Sequence, residues 1–246
     1  MNSLQLGLAP KMKPISPKRS ALVAALDVGT SKTVCVIARL EPISTQDVLR
    51  RRTHSIEVIG FGHTGALGMK AGRVADLEAA DSTIRQAVEI AERSAGVHLE
   101  SVAVAVSAGR PSSERFTASV DVVGPAIGDG DIARLLEAGS RYSGRDGRVV
   151  VHSLPLGYAI DDVHGIRDPR GMLARRFGLD MHVVTADIAP PRNLMLAIER
   201  CHLAVEAMVA SPYMAGLAAL ADDESDLGSA VVDLGAGTTT IAVFSG

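Results

Sequence analysis

Ala24-Ala25-Leu26-Asp27-Val28-Gly29-Thr30-Ser31-Lys32-Thr33-Val34-Cys35-Val36-Ile37 decides how the rest of the chain is read. It returns near the other end as Ala230-Val231-Val232-Asp233-Leu234-Gly235-Ala236-Gly237-Thr238-Thr239-Thr240-Ile241-Ala242-Val243, which puts Asp27 opposite Asp233, Gly29 opposite Gly235 and Thr33 opposite Thr239 without a gap. Each copy is an apolar run ending in Asp, a turn of Gly, Ser and Thr, and a second apolar run. That pattern predicts a β-hairpin with a tip of small residues. One copy alone reads as an ordinary turn; the repeat is what carries the functional reading.

Glycine lets a backbone approach a ligand closely, and successive N–H groups in a tight turn form a nest for an anion. Ser and Thr hydroxyls add donors without bulk. An Asp at the end of each first strand suits water-mediated contact with a hydrated Mg²⁺. Two such hairpins facing each other would clamp a phosphate chain and its metal between two lobes. The sequence contains no Gly-x-x-x-x-Gly-Lys-Ser/Thr loop, so a strand–loop–helix phosphate site is not indicated.

On these residues the chain resembles the superfamily that unites actin, the seventy-kilodalton heat-shock chaperones and hexokinase, and within it the bacterial FtsA family of cell-division actin homologues. The resemblance rests on Leu26-Asp27-Val28-Gly29-Thr30-Ser31-Lys32, Ala95-Gly96-Val97-His98-Leu99-Glu100-Ser101-Val102, Asp168-Pro169-Arg170-Gly171-Met172 and Val232-Asp233-Leu234-Gly235-Ala236-Gly237-Thr238-Thr239. It implies an α/β fold, the ribonuclease H-like first lobe of an actin-like ATPase, carrying an inserted small α+β subdomain and followed by a truncated second lobe. It also implies that ATP and Mg are bound by Asp27, Gly29, Thr30, Ser31, Lys32, Thr33, Asp233, Gly235, Ala236, Gly237, Thr238 and Thr239, with Asp27 and Asp233 reaching the metal through water. The implied role is a scaffold linking the FtsZ ring to the inner membrane and recruiting later division proteins. The resemblance places such a protein on the cytoplasmic side of that membrane at the septum, with self-association as a further expectation.

The chain departs from the family in three places. Ala236 stands where the family usually has Gly, and Thr240 where it usually has a second Asp. The helix expected from Pro212 to Ala221 has no Gln or Glu. In actin a Gln of this connecting helix orients the attacking water, a task that needs a polar side chain. The expectation is therefore nucleotide binding with at most weak hydrolysis, and no catalytic residue is assigned.

Composition narrows the alternatives. A net charge of −3 over 246 residues argues against a general nucleic-acid binder. The two cysteines, Cys35 and Cys201, read as core residues of a reduced chain. The seven histidines show no metal-ligand spacing, and no apolar run approaches the ~20 residues that cross a bilayer.

Residues 1–20 read as a flexible basic tail, with Pro10, Pro14 and Pro17 among Lys11, Lys13, Lys18 and Arg19. Residues 21–100 read as the first part of the main lobe. They hold the first hairpin, a solvated loop at Arg50-Arg51-Arg52, a strand from Ile56 to Gly62, a Gly-rich loop to Gly72, and a helix capped by Asp76 and stopped by Gly96. Residues 101–180 read as the α+β insert in the order β-β-α-β-β, with Val102–Val106 as its first strand and separate strands at 148–154 and 156–162. Its Arg110, Arg141, Arg145 and Arg148 read as a solvated face, or else as a surface for other division proteins. Residues 181–226 return to the main lobe through a helix opened by Pro190 and Pro191, a strand from Ala204 to Val209, a helix with Ser211 as N-cap, and an acidic turn at 222–226. Residues 227–246 begin the second lobe.

The chain stops at Ser245-Gly246, directly after the second hairpin, and so reads as the front part of a longer protein, soluble by itself. Without an adenosine site its expected affinity for ATP is about millimolar or weaker. Two competing readings remain: a small-molecule or sugar kinase on the same fold, and an inactive fragment. A kinase needs a base beside its substrate, and Asp180 and Asp187 read as lacking a paired group.

Overall fold

The computed structural model describes residues 15–43, 53–140 and 147–245. The elements run β1 (Ala21–Val28), β2 (Lys32–Pro42), β3 (His54–Gly65), β4 (Met69–Lys70), β5 (Arg73–Val74), α1 (Leu77–Ala95), β6 (Ser101–Val106), β7 (Ser112–Asp121) and α2 (Asp129–Ser140). They continue as β8 (Arg148–Ile160), β9 (Val163–Ile166), β10 (Arg176–Asp187), α3 (Ala189–Glu199), β11 (Ala204–Ala210), α4 (Ser211–Ala219), α5 (Asp222–Leu227), β12 (Ser229–Leu234) and β13 (Thr239–Phe244). Two compact units result: Pro111–Ala186, and the described residues up to Arg110 together with those from Asp187 onward.

The larger unit is built on a five-stranded sheet ordered β11-β6-β1-β2-β3. β1, β2 and β3 form an antiparallel meander, while β6 and β11 run parallel to β1. This is the actin-like α/β lobe that the resemblance implied. α1 begins where the Asp76 carboxylate accepts from Ala79 N–H at 3.1 Å and ends at Gly96 in the left-handed region, φ 67°. Its stripe of Ala80, Ile84, Ala87, Val88 and Ala91 is buried, as are Leu26, Cys35, Ile37, Val102 and Val104 of the sheet. α1 lies so close to β3 that a Cβ on Gly62 would fall 1.9 Å from the Ala87 carbonyl oxygen, and one on Gly60 would fall 2.5 Å from that of Ala91. Glycine at these two positions sets the helix–strand distance. Pro190 and Pro191 open α3 as expected, and Leu194, Ala197 and Ile198 bury its inner face.

β12 and β13 form a two-stranded sheet of their own. Phe244 stacks on Tyr213 of α4 at 5.9 Å, and a Cβ on Gly216 would lie 2.2 Å from the Phe244 ring. The expected Ser211 cap is corrected by one residue. Ala210 occupies the cap position without a side-chain bond, and Ser211 is the first helical residue. The expected acidic turn is the short helix α5, where Glu224 accepts from Ala221 N–H at 2.8 Å.

The smaller unit is a four-stranded sheet ordered β7-β10-β8-β9 with α2 on one face. Phe177, Leu179, Met181 and Val183 of β10 pack with Ile132 and Leu135 of α2, and Tyr158 stacks on Phe177 at 5.3 Å. The expected boundary at residue 101 is corrected to 111. β6 hydrogen-bonds to β1 and β11 in the main sheet, so the insert is β-α-β-β-β. Its last strand, β10, reaches Asp187 and pairs with β7 from Arg176↔Asp121 to Thr185↔Ser112, where 181–185 had been expected to rejoin the main lobe. The two strands expected at 148–154 and 156–162 are the single strand β8.

The expected solvated arginine face is also corrected. Arg148 is only partly exposed and donates to Thr185 Oγ1 and Thr185 O, each at 2.9 Å. Arg110 is exposed but paired with Asp187. The expectations for Arg141, Arg145, Arg50-Arg51-Arg52 and most of the basic tail fall outside the described residues.

Candidate functional site

The two predicted hairpins share one geometry. In the first, Gly29 N–H donates to Lys32 O at 2.9 Å; in the second, Gly235 N–H donates to Thr238 O at 2.9 Å. Asp27 sits one residue before the end of β1, opposite Val34, and Asp233 one residue before the end of β12, opposite Thr240. A tight turn closed this way can turn its other tip N–H groups toward a ligand.

The tips meet. A Cβ on Gly237 would lie 2.5 Å from Thr30 Oγ1 and 2.9 Å from Ala71 Cα, so only glycine allows this approach. Thr238 Oγ1 hydrogen-bonds to Ser107 Oγ at 3.3 Å, just beyond β6. Behind the tips, the Asp233 carboxylate acts on Asp27. Solvent reaches Asp27, yet the surrounding protein raises its pKa by desolvation, Asp233 raises it further, and Lys32 opposes both. Thr240 Oγ1 donates weakly to Asp233 Oδ2 at 3.4 Å. Two carboxylates held in mutual repulsion beside glycine-rich tips suit a hydrated divalent cation carrying phosphate oxygens. The residues present therefore fit Mg²⁺ and a phosphate chain.

Not every expected residue shares that face. Side chains alternate along a strand. Thr33 pairs with Val28 and Thr64, is fully buried, and lies on the face where Thr64 Oγ1 donates to Thr83 O of α1. Its hydroxyl has no partner among the described residues. Thr239 likewise pairs with Leu234, on the face opposite Asp233. Gly29, Thr30, Ser31, Lys32, Gly235, Ala236, Gly237 and Thr238 occupy the tips. Sequence reasoning missed Ser107, Ala71 and Gly72. The Gly-rich run up to Gly72 was the available signal, read only as a loop.

The two carboxylates weighed as kinase bases are both engaged. Asp187 accepts from Arg110 Nε at 2.7 Å. Asp180 accepts from Thr117 at 2.6 Å and pairs with His164 at 2.6 Å; these bonds outweigh the effect of desolvation and hold its pKa below the ordinary value. Among the described residues no group of three or more His, Cys, Asp or Glu gathers as a metal cluster.

Comparison with known proteins bears on the family and on the insert. The model of the SHS2 domain inserted in FtsA matches residues 108–185, close to the corrected insert. Cell division protein FtsA of Agrobacterium fabrum is 49% identical over 96% of this chain and 53% of its own length. FtsA of Rhizobium meliloti is 49% identical over 99% of this chain and 55% of its own, and that of Escherichia coli 29% identical over 92% and 51%. The chain thus spans about half the length of the curated relatives it matches. Among solved structures, the PilM-PilN type IV pilus biogenesis complex aligns with 90% of this chain and 61% of that chain, at a TM-score of 0.49 and 14% identity.

Proposed function

We infer from the chain's place in the FtsA family, to which it belongs over the residues it spans, that it serves bacterial cell division as a nucleotide-binding scaffold. Mg·ATP is the proposed ligand. The observation that supports it most directly is the contact of two matched hairpin tips, Thr30 against Gly237, with the Asp233 carboxylate acting on Asp27 behind them. Tip amides and the hydroxyls of Thr30, Ser31 and Thr238 would hold phosphate oxygens, Lys32 would neutralise charge, and the two carboxylates would hold the metal's water. Thr33 and Thr239 are left out of this set because they lie on the reverse faces.

Slow turnover fits the same reading. α4 is Ser-Pro-Tyr-Met-Ala-Gly-Leu-Ala-Ala and offers no amide or carboxylate to orient a water. The proposed partners are those of the family: the FtsZ ring, the inner membrane, and later division proteins that dock on the insert. A kinase is not favoured, since Asp180 and Asp187 are already engaged.

The test is ligand-induced stabilisation of the 246-residue chain. A ligand that binds only the folded state raises its stability by RT ln(1 + [L]/Kd), a shift that reports even millimolar binding. Mg·ATP at ~10 mM is expected to raise the melting temperature of wild type but not of Asp27→Asn or Asp233→Asn. Equal shifts in all three proteins would refute the site.

A further inference from the structure

Between β3 and α1 the chain makes the small hairpin β4–β5, turned by Ala71 at φ 48° and Gly72 at φ 70°. Two successive positive φ angles are the mark of a type I′ turn, where Asn, Asp or Gly is usual and alanine is strained. The tip is seated against both halves of the site. Gly72 N–H donates to Thr30 Oγ1 at 2.9 Å. A Cβ on Gly72 would fall 3.1 Å from Thr238 Cγ2 and 3.2 Å from Ala108 Cβ, while Gly237 rests on Ala71. The base is fixed as well, since Ala75 N–H and Asp76 N–H both donate to Gly68 O, at 2.8 and 3.0 Å, immediately before α1.

Lys70 and Arg73 flank this tip as direct cross-strand partners, which puts both side chains on one face of the hairpin. Both are exposed, and neither has an ion-pair partner among the described residues. Like charges directly opposite one another destabilise a strand pair. Here that repulsion stands beside two turns already read as an anion site, with a strained alanine between the cations. Strain and unneutralised charge in one place are what a bound polyanion would relieve.

We propose that the β4–β5 hairpin is a third wall of the nucleotide site, and that Lys70 and Arg73 hold the polyphosphate of the ligand clamped between the two tips. The inference rests on the nucleotide reading above and adds the residues that give the site its positive charge. Lys32 supplies one cation beside Asp27; Lys70 and Arg73 would supply two more to balance a triphosphate and the two carboxylates.

The experiment is calorimetric titration of the 246-residue chain with Mg·ATP, Mg·tripolyphosphate and adenosine at several salt concentrations. It compares wild type, the double variant Lys70→Ala/Arg73→Ala, the conservative double Lys70→Arg/Arg73→Lys, and Arg93→Ala in the last turn of α1 as a distant charge control. The double alanine variant is expected to weaken ATP and tripolyphosphate alike by about tenfold and to flatten the salt dependence. The conservative double and Arg93→Ala are expected to bind as wild type, and adenosine to be unaffected throughout. Without ligand, the double alanine variant should melt no lower than wild type, because a repulsion has been removed. Wild-type affinity in that variant would overturn the inference, and so would a lower melting point, which would make the pair a structural support. A wild-type chain that binds neither phosphate ligand would instead overturn the nucleotide reading and this inference with it.

Discussion

Replacing Thr33 by valine separates the two roles that its position in the first hairpin suggests. As a phosphate contact its loss would weaken nucleotide binding. The fold puts it under the sheet, fully buried, with a hydroxyl that meets no partner among the described residues. A buried unpaired hydroxyl costs about 1–3 kcal/mol in proteins. Valine has nearly the same shape and replaces that hydroxyl with a methyl, worth about 0.8 kcal/mol of apolar burial. A net gain of about 1–2 kcal/mol follows once imperfect packing is allowed for. In a chain of this size that corresponds to a rise in Tm of about 3–6 °C. Urea unfolding should show a higher midpoint at unchanged slope, and the Mg·ATP-induced shift should equal that of wild type. A destabilised Thr33→Val, or one that no longer responds to nucleotide, would refute the assignment of this side chain to the reverse face.

Gly62→Ala should destabilise the chain by about 3 kcal/mol, the upper end for overpacking, since its Cβ would meet the Ala87 carbonyl oxygen at 1.9 Å; urea titration reads this directly. Asp76→Ala should cost about 1 kcal/mol through loss of the α1 cap, and Asp76→Asn much less, by the same measurement. Asp27 has a folded-state pKa above its ordinary value, so its ionisation weighs against the folded state at neutral pH. Asp27→Asn should therefore be more stable than wild type at pH 7 without ligand, and the gap should close as the pH falls through the raised value towards about 4. Desolvation, with Glu92 adding to it, pushes the Cys35 thiol up to about 11. A thiol reagent at pH 8 should leave Cys35 unmodified until urea unfolds the sheet, and rapid labelling in native buffer would contradict its burial.

The hairpins and α1 were legible because their signals are local. Asp-x-Gly-x-x-x-Thr fixes a turn within a few residues, and Asp76 and Gly96 bracket a stripe at helical spacing. The boundary of the insert was not local. Val102-Ala103-Val104-Ala105-Val106 is an apolar run that suits either sheet, and only its parallel pairing with β1 and β11 decides between them. Pro155 lies between the two strands expected at 148–154 and 156–162. It sits inside β8, where the described register with β9, Tyr158↔Ile166 and Ile160↔Val163, does not reach Pro155. Thr33 was assigned to the site by its place in the motif. Register, not motif, decides which face a strand residue takes, and one position is enough to send it to the other side. Ser107 carries no motif and the Gly-rich run to Gly72 signals only a loop, so the fold alone brings Ala71, Gly72 and Ser107 to Gly237, Thr30 and Thr238.

The way the insert leaves and rejoins the main sheet bears on the order in which this chain folds. β6 and β11 pair with Ala204 beside Ser101, so their union closes a loop of roughly 100 residues, a slow event for an unfolded chain. Yet Asp187 N–H donates to Gly109 O at 2.7 Å, and Arg110 grips the Asp187 carboxylate, so the two ends of the insert abut. An insert that forms first would bring those ends together and shorten the remaining search to roughly 30 residues, lowering the closure entropy by about 1 kcal/mol. On that view the insert is also a folding staple: its early formation would hasten the long-range pairing of the lobe that surrounds it. Slowing the insert, for example by cutting α2 out of its core with Leu135→Ala, would then delay formation of the main sheet, although Leu135 belongs to the insert's own core.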